Sequence, residues 1–173
     1  MWRLQRRGAI LVGLAGAIAV GGLQLAPGPK RTNPAVVPAH TLQSSTAVPN
    51  DVHALLRRAC MNCHSNETQW PWYSYVPPVS WDMAHDVTKA RKALNFSEWA
   101  TGPGKRPAVA MGYLAAICAD VKSRRMPLSK YLLLHREARL SDQDRAAICS
   151  WTTAEAERYA QIKRRNLVSK NGQ

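Results

Sequence analysis

The chain has 173 residues, enough for one ordinary domain with a leader or a tether. Hydrophobic residues make up 46% of it and charged residues 20%, which excludes wholesale disorder. Its net charge of +13 raises nucleic acid, an anionic membrane or an acidic protein as partners. Five basic residues and no acidic residue precede residue 33, so the remainder carries +8. Part of the positive charge therefore belongs to the N-terminal segment.

The first 26 residues have the pattern of an export signal or a membrane anchor. Three arginines lie within the first seven positions, and residues 8–26 carry no charge. A basic region followed by an apolar run is typical of such segments. The length of the uncharged run lies between that of a signal peptide and the roughly 18 residues or more of a membrane span, so we expect an uncleaved anchor, with a cleaved signal peptide as the alternative. The rest of the chain is then predicted to be periplasmic and attached to the inner membrane.

Residues 27–49 contain five prolines and no acidic residue. Such a composition favours an extended tether over a packed element. The apolar spacing of Asp51–Ala59 then predicts an amphipathic helix, and a final helix is expected from Ser141, with Asp144 completing a capping box, to about Arg165. We therefore expect the folded domain over residues 50–165 and a flexible tail over residues 166–173.

The motif that carries the chemistry is Cys60-Met61-Asn62-Cys63-His64, a C-x-x-C-H sequence. This is the attachment pattern of c-type haem. Two thiols three residues apart on a helical turn can add to the two vinyl groups on one side of the porphyrin. The following residue, His64, is then placed under the iron as a proximal ligand.

Three alternatives remain for these cysteines. A thioredoxin-like redox pair needs a strand before the motif, where the sequence instead predicts a helix. A zinc site would have to recruit Cys118 and Cys149, which are isolated rather than paired. A structural disulfide between Cys60 and Cys63 would close a very short loop.

The best candidate for a second axial ligand is Met126. It precedes Pro127 and follows a predicted helix whose apolar stripe contains Met111, Leu114, Cys118 and Val121. A methionine on a proline-stiffened loop has no helical stripe to join, and its thioether is a good ligand for iron. Packing of Met126 against the domain is the alternative, since methionine commonly fills gaps.

The sequence resembles the small haem-binding domain family of exported bacterial proteins, which is cytochrome c-like. The resemblance covers about residues 50–155. It is carried by residues 60–65, Pro71, Trp72, Tyr73, Pro77, Pro78, residues 94–99, Met126, Pro127, Tyr131, His135 and residues 148–151. It implies an all-α domain around one covalent haem c, with His64 as the proximal and Met126 as the distal ligand of iron.

The wider resemblance to cytochrome c implies that a proline carbonyl, from Pro77 or Pro78, accepts the ring N–H of His64. Aromatic side chains follow the motif closely, and such rings can bury a flat apolar porphyrin. We select Trp72 and Trp99 as residues that line the haem.

Two further features concern the segment around Met126. Lys122, Arg124 and Arg125 directly precede it and could neutralise a haem propionate or attract an acidic redox partner. Cys118 and Cys149 could form a disulfide in an oxidising compartment, although two buried thiols are the alternative.

The leading functional hypothesis is a non-enzymatic electron carrier with six-coordinate iron. The alternatives are a peroxidase-like enzyme or a haem-based sensor, both with an open distal site. The chain carries no recognised nucleic-acid motif and is predicted to be exported, so nucleic acid is not expected as a partner.

Overall fold

All regular structure in the described residues is helical, as the sequence predicts. The computed structural model describes residues 2–25, 28–99 and 106–171. The predicted boundary between leader and tether, at residues 26 and 27, and the last two residues of the predicted tail lie outside these ranges. Within them the α-helices are α1 (Trp2–Leu25), α2 (Leu42–Ser45), α3 (Asn50–Ala59), α4 (Met61–His64), α5 (Val79–Ala93), α6 (Pro107–Lys122), α7 (Tyr131–Leu134) and α8 (Asp142–Asn171). Short 3₁₀ helices occur at Pro38–His40, Trp72–Tyr75, Phe96–Glu98 and Arg136–Ala138.

The chain divides into two compact units. The first unit combines the residues up to 32 with residues 70–86. It contains α1, whose described apolar side chains are solvent-exposed. In this unit the Arg31 guanidinium lies 4.5 Å from the centre of the Tyr75 ring. A Cβ on Gly28 would come within 2.7 Å of the Trp81 indole, so this close approach of the backbone to the ring requires glycine. No helix in the described part of the chain has both the length and the apolar character to cross a membrane.

The second unit contains residues 33–69 and the chain from residue 87 onward. Its α3 forms where the sequence predicts, because Val52, Leu55, Leu56 and Ala59 recur at helical spacing and are all buried. The core that they enter is shared with α6 and α8, whose buried residues include Leu114, Val121, Ile148 and Trp151. Of the predicted α6 stripe, Leu114 and Val121 are buried, whereas Met111 and Cys118 are half-buried.

The start of α8 confirms the predicted capping box. The Asp144 carboxylate accepts the backbone N–H of Ser141 at 2.8 Å, and the Ser141 hydroxyl accepts that of Asp144 at 3.1 Å. The helix extends to Asn171, beyond the predicted end near Arg165.

Residues 33–49 do not form the extended tether that their prolines suggest. Leu42 is fully buried, and the Asn33 side chain donates to the Thr68 carbonyl at 2.7 Å. The Trp151 indole donates to the Ala47 carbonyl at 3.1 Å, and Arg158 donates to the Ser45 carbonyl at 2.7 Å. Burial of one leucine and capture of these carbonyls outweigh the local preference for an extended chain.

A disulfide joins Cys118 on α6 to Cys149 on α8, which confirms the predicted pairing. The Arg145 side chain also donates to the Val121 carbonyl, so residues later on α6 meet residues earlier on α8 and the two helices run antiparallel. The disulfide and the buried side chains between these helices make the pair the most constrained part of the unit.

We expect the Cys118→Ser/Cys149→Ser double variant to lose about 3 to 4 kcal/mol of unfolding free energy, because the crosslink restricts the unfolded chain. The closed loop spans 31 residues. Urea unfolding of the double variant and of the unmodified protein measures this loss. Two thiols that react with an alkylating agent before any reduction would contradict the pairing.

Candidate haem-attachment site

The C-x-x-C-H motif forms one tight helical turn. Cys60 is the C-cap residue of α3. Its carbonyl accepts the backbone N–H of Cys63 at 3.1 Å and that of His64 at 2.9 Å. The three functional side chains of the motif therefore project from a single turn. This local geometry allows both cysteines to bind one group.

The His64 imidazole is held by a backbone carbonyl. Its Nδ1 lies 3.0 Å from the carbonyl oxygen of Leu94, just beyond the end of α5. Burial lowers the pKa of His64 despite this hydrogen bond, so the ring is neutral at pH 7. With Nδ1–H donating to Leu94, the lone pair of Nε2 is left for a metal ion.

The prediction that Pro77 or Pro78 accepts the ring N–H of His64 is therefore wrong. The carbonyl that His64 uses lies thirty residues after it, at Leu94. A backbone carbonyl has no side-chain signature, so only the fold identifies it. The two prolines belong to the first unit, where Pro78 is exposed.

Cys60 and Cys63 are both thiols and are half-buried. Burial and the neighbouring Cys63 raise the pKa of Cys60 to about 12. A four-cysteine zinc site is incompatible with the structure because Cys118 and Cys149 are bonded to each other. The helix before the motif disfavours a thioredoxin-like pair, and the absence of a bond between the motif thiols disfavours a structural disulfide.

The chain after His64 is held by polar contacts. The Asn62 side chain donates to the Tyr131 hydroxyl at 3.0 Å. The backbone carbonyl of Asn62 accepts a hydrogen bond from the Thr68 hydroxyl at 2.7 Å. Arg91 of α5 donates through Nε to the Ser65 carbonyl at 2.7 Å and through Nη2 to the Thr68 hydroxyl at 2.8 Å. The end of α5 thus fixes both the His64 ring and the loop that leaves it.

Met126 lies on the loop that follows α6 and is half-buried, with Pro127 buried beside it. Its backbone N–H donates to the Asp120 carbonyl at 3.2 Å. The Asp120 carboxylate is close enough to His64 to raise the pKa of that histidine slightly against the effect of burial. Asp120 therefore accepts a hydrogen bond from the backbone of Met126, and its charge also acts on the His64 ring.

The basic cluster before Met126 is largely occupied within the protein. Arg124 pairs with Asp142 at 3.0 Å, and Arg125 pairs with Asp120 at 2.6 Å. Their charges are thus partly neutralised, and contact of this cluster with a propionate or an acidic partner stays a prediction. Lys122 is exposed at the end of α6.

The two selected tryptophans lie in different environments. Trp99 is buried in the core of the second unit, and its indole N–H donates to the Tyr159 hydroxyl at 3.1 Å. Trp72 belongs to the first unit and is 78% exposed. Contact of either ring with a haem stays a prediction.

Among the remaining histidines, His135 has structural partners. Its ring stacks on Tyr131 with centroids 4.1 Å apart, and its Nδ1 lies 2.9 Å from a carboxylate oxygen of Glu137. These contacts account for the position of His135 without a role as an iron ligand. His85 is exposed on α5.

The residues present fit a c-type haem. The turn supplies two thiols and a neutral imidazole whose Nδ1 is already engaged, so its remaining nitrogen suits iron. The sequence motif identifies these three residues but not Arg91, because nothing in the sequence separates Arg91 from the neighbouring Lys89 and Lys92.

Comparison with known proteins agrees with this site. The profile of the haem-binding domain family matches residues 18–154, which is more than half of the chain, so the chain belongs to that family. It is 29% identical over 119 residues to the cytochrome c peroxidase Ccp of Escherichia coli (strain K12). The match covers 68% of this chain and 26% of that protein, so the chain spans about a quarter of its relative. No solved structure matches the chain.

We expect Arg91→Met to lower the free energy of unfolding by about 2 kcal/mol, because it removes charge-assisted hydrogen bonds to the loop after His64. Urea unfolding of the haem-loaded protein measures the loss. Lys92→Met, an exposed change on the same helix, is the matched control. Equal stability of the two variants would show that Arg91 does not hold the loop.

Proposed function

We propose that this protein is a periplasmic c-type cytochrome that carries single electrons. The observation that carries the proposal is the turn formed by Cys60, Cys63 and His64, with the His64 ring oriented by the Leu94 carbonyl. Membership of the haem-binding domain family supports a haem protein. Covalent attachment of one haem c per chain is the finer proposal, and it follows from the two thiols on one turn.

A haem at this position supplies an iron ion that exchanges one electron between its ferric and ferrous forms. His64 binds the iron through Nε2 while Nδ1 keeps the ring orientation fixed. Met126 is the proposed sixth ligand, supported by its place on a loop tied to Asp120. A thioether ligand favours the ferrous form more than a second histidine does, which suits electron transfer.

The proposed setting is the periplasm, with a redox protein as partner. The uncharged run after the N-terminal arginines supports export, and attachment to the inner membrane through residues 1–26 is part of the same proposal. The net positive charge supports an acidic partner, although Arg124 and Arg125 contribute less to that attraction than their number suggests.

A peroxidase-like enzyme is the second candidate, and the similarity to the cytochrome c peroxidase of Escherichia coli favours it. In that case Met126 does not bind iron, and the distal position stays open to a small molecule. The two candidates therefore differ in the identity of the sixth ligand.

Attachment is tested by producing the chain in bacteria that mature c-type cytochromes. We expect the purified protein to gain the mass of one haem, which acidified organic solvent does not extract. Cys60→Ser/Cys63→Ser should lose this haem, whereas Cys118→Ser/Cys149→Ser should retain it. Extractable haem in the unmodified protein would contradict a c-type cytochrome, and its presence only in the cytoplasmic fraction would contradict export.

Ligation is tested by the absorption and electron paramagnetic resonance spectra of the oxidised protein. We expect low-spin iron that becomes high-spin in Met126→Ala. Met111→Ala, which removes another half-buried methionine, should leave the iron low-spin. High-spin iron with the same spectrum in Met126→Ala would instead favour the peroxidase-like enzyme.

A further inference from the structure

We propose that the first turn of α8 clamps the loop that carries Met126, and that Arg145 is the main positioning residue of this clamp. The inference rests on the proposed ligation of iron by Met126. It adds a reason why this methionine stays bound, and it assigns that task to residues that do not touch the iron.

The loop begins with a tight helix end. At the C-terminus of α6 the Val121 carbonyl accepts the N–H of Arg124 at 3.2 Å, and the Asp120 carbonyl accepts that of Arg125 at 3.0 Å. This pair of bonds is a Schellman motif, which reverses the chain direction after a helix. The Asp120 carbonyl also accepts the N–H of Met126, so the position of Met126 depends directly on this helix end.

Arg124 adopts an unfavourable backbone conformation in this motif. Its φ is 58°, in the left-handed region where glycine is the usual residue. A residue with a side chain keeps that conformation only when its surroundings hold it. The Arg124 guanidinium is held by Asp142, at 3.0 Å.

Arg145 completes the clamp from α8. Its Nε donates to the Val121 carbonyl at 3.1 Å, and Nη1 donates to the same oxygen of Asp142 that Arg124 contacts, at 3.0 Å. The Arg145 side chain is 17% exposed, so its bond to the Val121 carbonyl is partly shielded from water. One guanidinium thus binds both the carbonyl of the Schellman motif and the carboxylate that steadies Arg124.

The helices that carry the two halves of this clamp cannot separate easily. The Cys118–Cys149 disulfide joins α6 and α8 one turn away from the Val121–Arg145 bond. The disulfide fixes the distance between the two helices, and the hydrogen bond from Arg145 to the Val121 carbonyl holds the start of the loop against α8. Loss of Arg145 should therefore loosen Met126 while the helix pair stays together.

The test is a competition at the iron. Added imidazole displaces a weakly held methionine from oxidised haem iron, and the loss of the absorption band of the sulfur–iron bond reports the displacement. We expect Arg145→Met to bind imidazole about tenfold more tightly than the unmodified protein, the change equivalent to losing one charge-assisted hydrogen bond. Its reduction potential should fall as methionine ligation weakens.

Arg158→Met is the matched control. Arg158 lies on the same helix, donates to a backbone carbonyl at Ser45 and pairs with a carboxylate three residues earlier, at Glu155. Both variants should be less stable than the unmodified protein, but only Arg145→Met should change imidazole affinity. Equal affinity in the two variants would overturn the clamp and leave ligation by Met126 intact.

Asp142→Asn provides the test if Arg145→Met does not fold. Asp142 is 81% exposed, so the change is tolerable, and it weakens the contacts of both arginines. We expect imidazole affinity to rise about threefold, in keeping with an exposed ion pair. Unchanged affinity overturns the clamp. A spectrum that Met126→Ala does not alter would overturn the ligation itself, and with it the clamp.

Discussion

The first turn of α8 is the constraint on which the second unit depends. Its Asp144 pairs with Arg58 at 2.8 Å, and Arg58 lies on α3 two residues before the attachment turn. Its Asp142 contacts Arg124 and Arg145 on the side of the Met126 loop. Two carboxylates of this turn thus contact the segments that carry the two candidate ligands.

The arginines explain how so basic a chain can pack. Arg58, Arg91 and Arg158 each donate to at least one backbone carbonyl from another part of the sequence. A guanidinium has five donors in a fixed plane and keeps its charge, so it can bind a carbonyl and a carboxylate at the same time. These three arginines therefore hold irregular segments in place.

The parts of the fold that follow from local sequence were predictable. The spacing of Val52, Leu55 and Leu56 predicts α3, and the Ser141–Asp144 pattern predicts the start of α8. The disulfide was predictable as one of two alternatives, because export, which the sequence predicts, would permit it without requiring it. In each case the signal lies in side chains a few residues apart, or in the short list of cysteines.

The incorrect predictions concern interactions over long sequence distances. Five prolines between residues 27 and 49 indicate an extended chain, but burial of Leu42 depends on helices that come much later. The pairing of Arg124 with Asp142 was not predicted at all, since no local pattern connects the two residues. The acceptor for His64 is a backbone carbonyl, which any residue could provide, so only the end of α5 identifies Leu94.

This last contact separates the control of the two candidate ligands. The His64 ring is oriented by Leu94, and the loop beyond it by Arg91, both at the C-terminal end of α5. The Met126 loop is instead held by α6 and α8. If these side chains bind iron as proposed, the strength of the Nδ1 hydrogen bond would tune how strongly the imidazole donates to iron, whereas the clamp would set how readily the thioether leaves. Because different helices carry these contacts, a substitution would alter one ligand without disturbing the other.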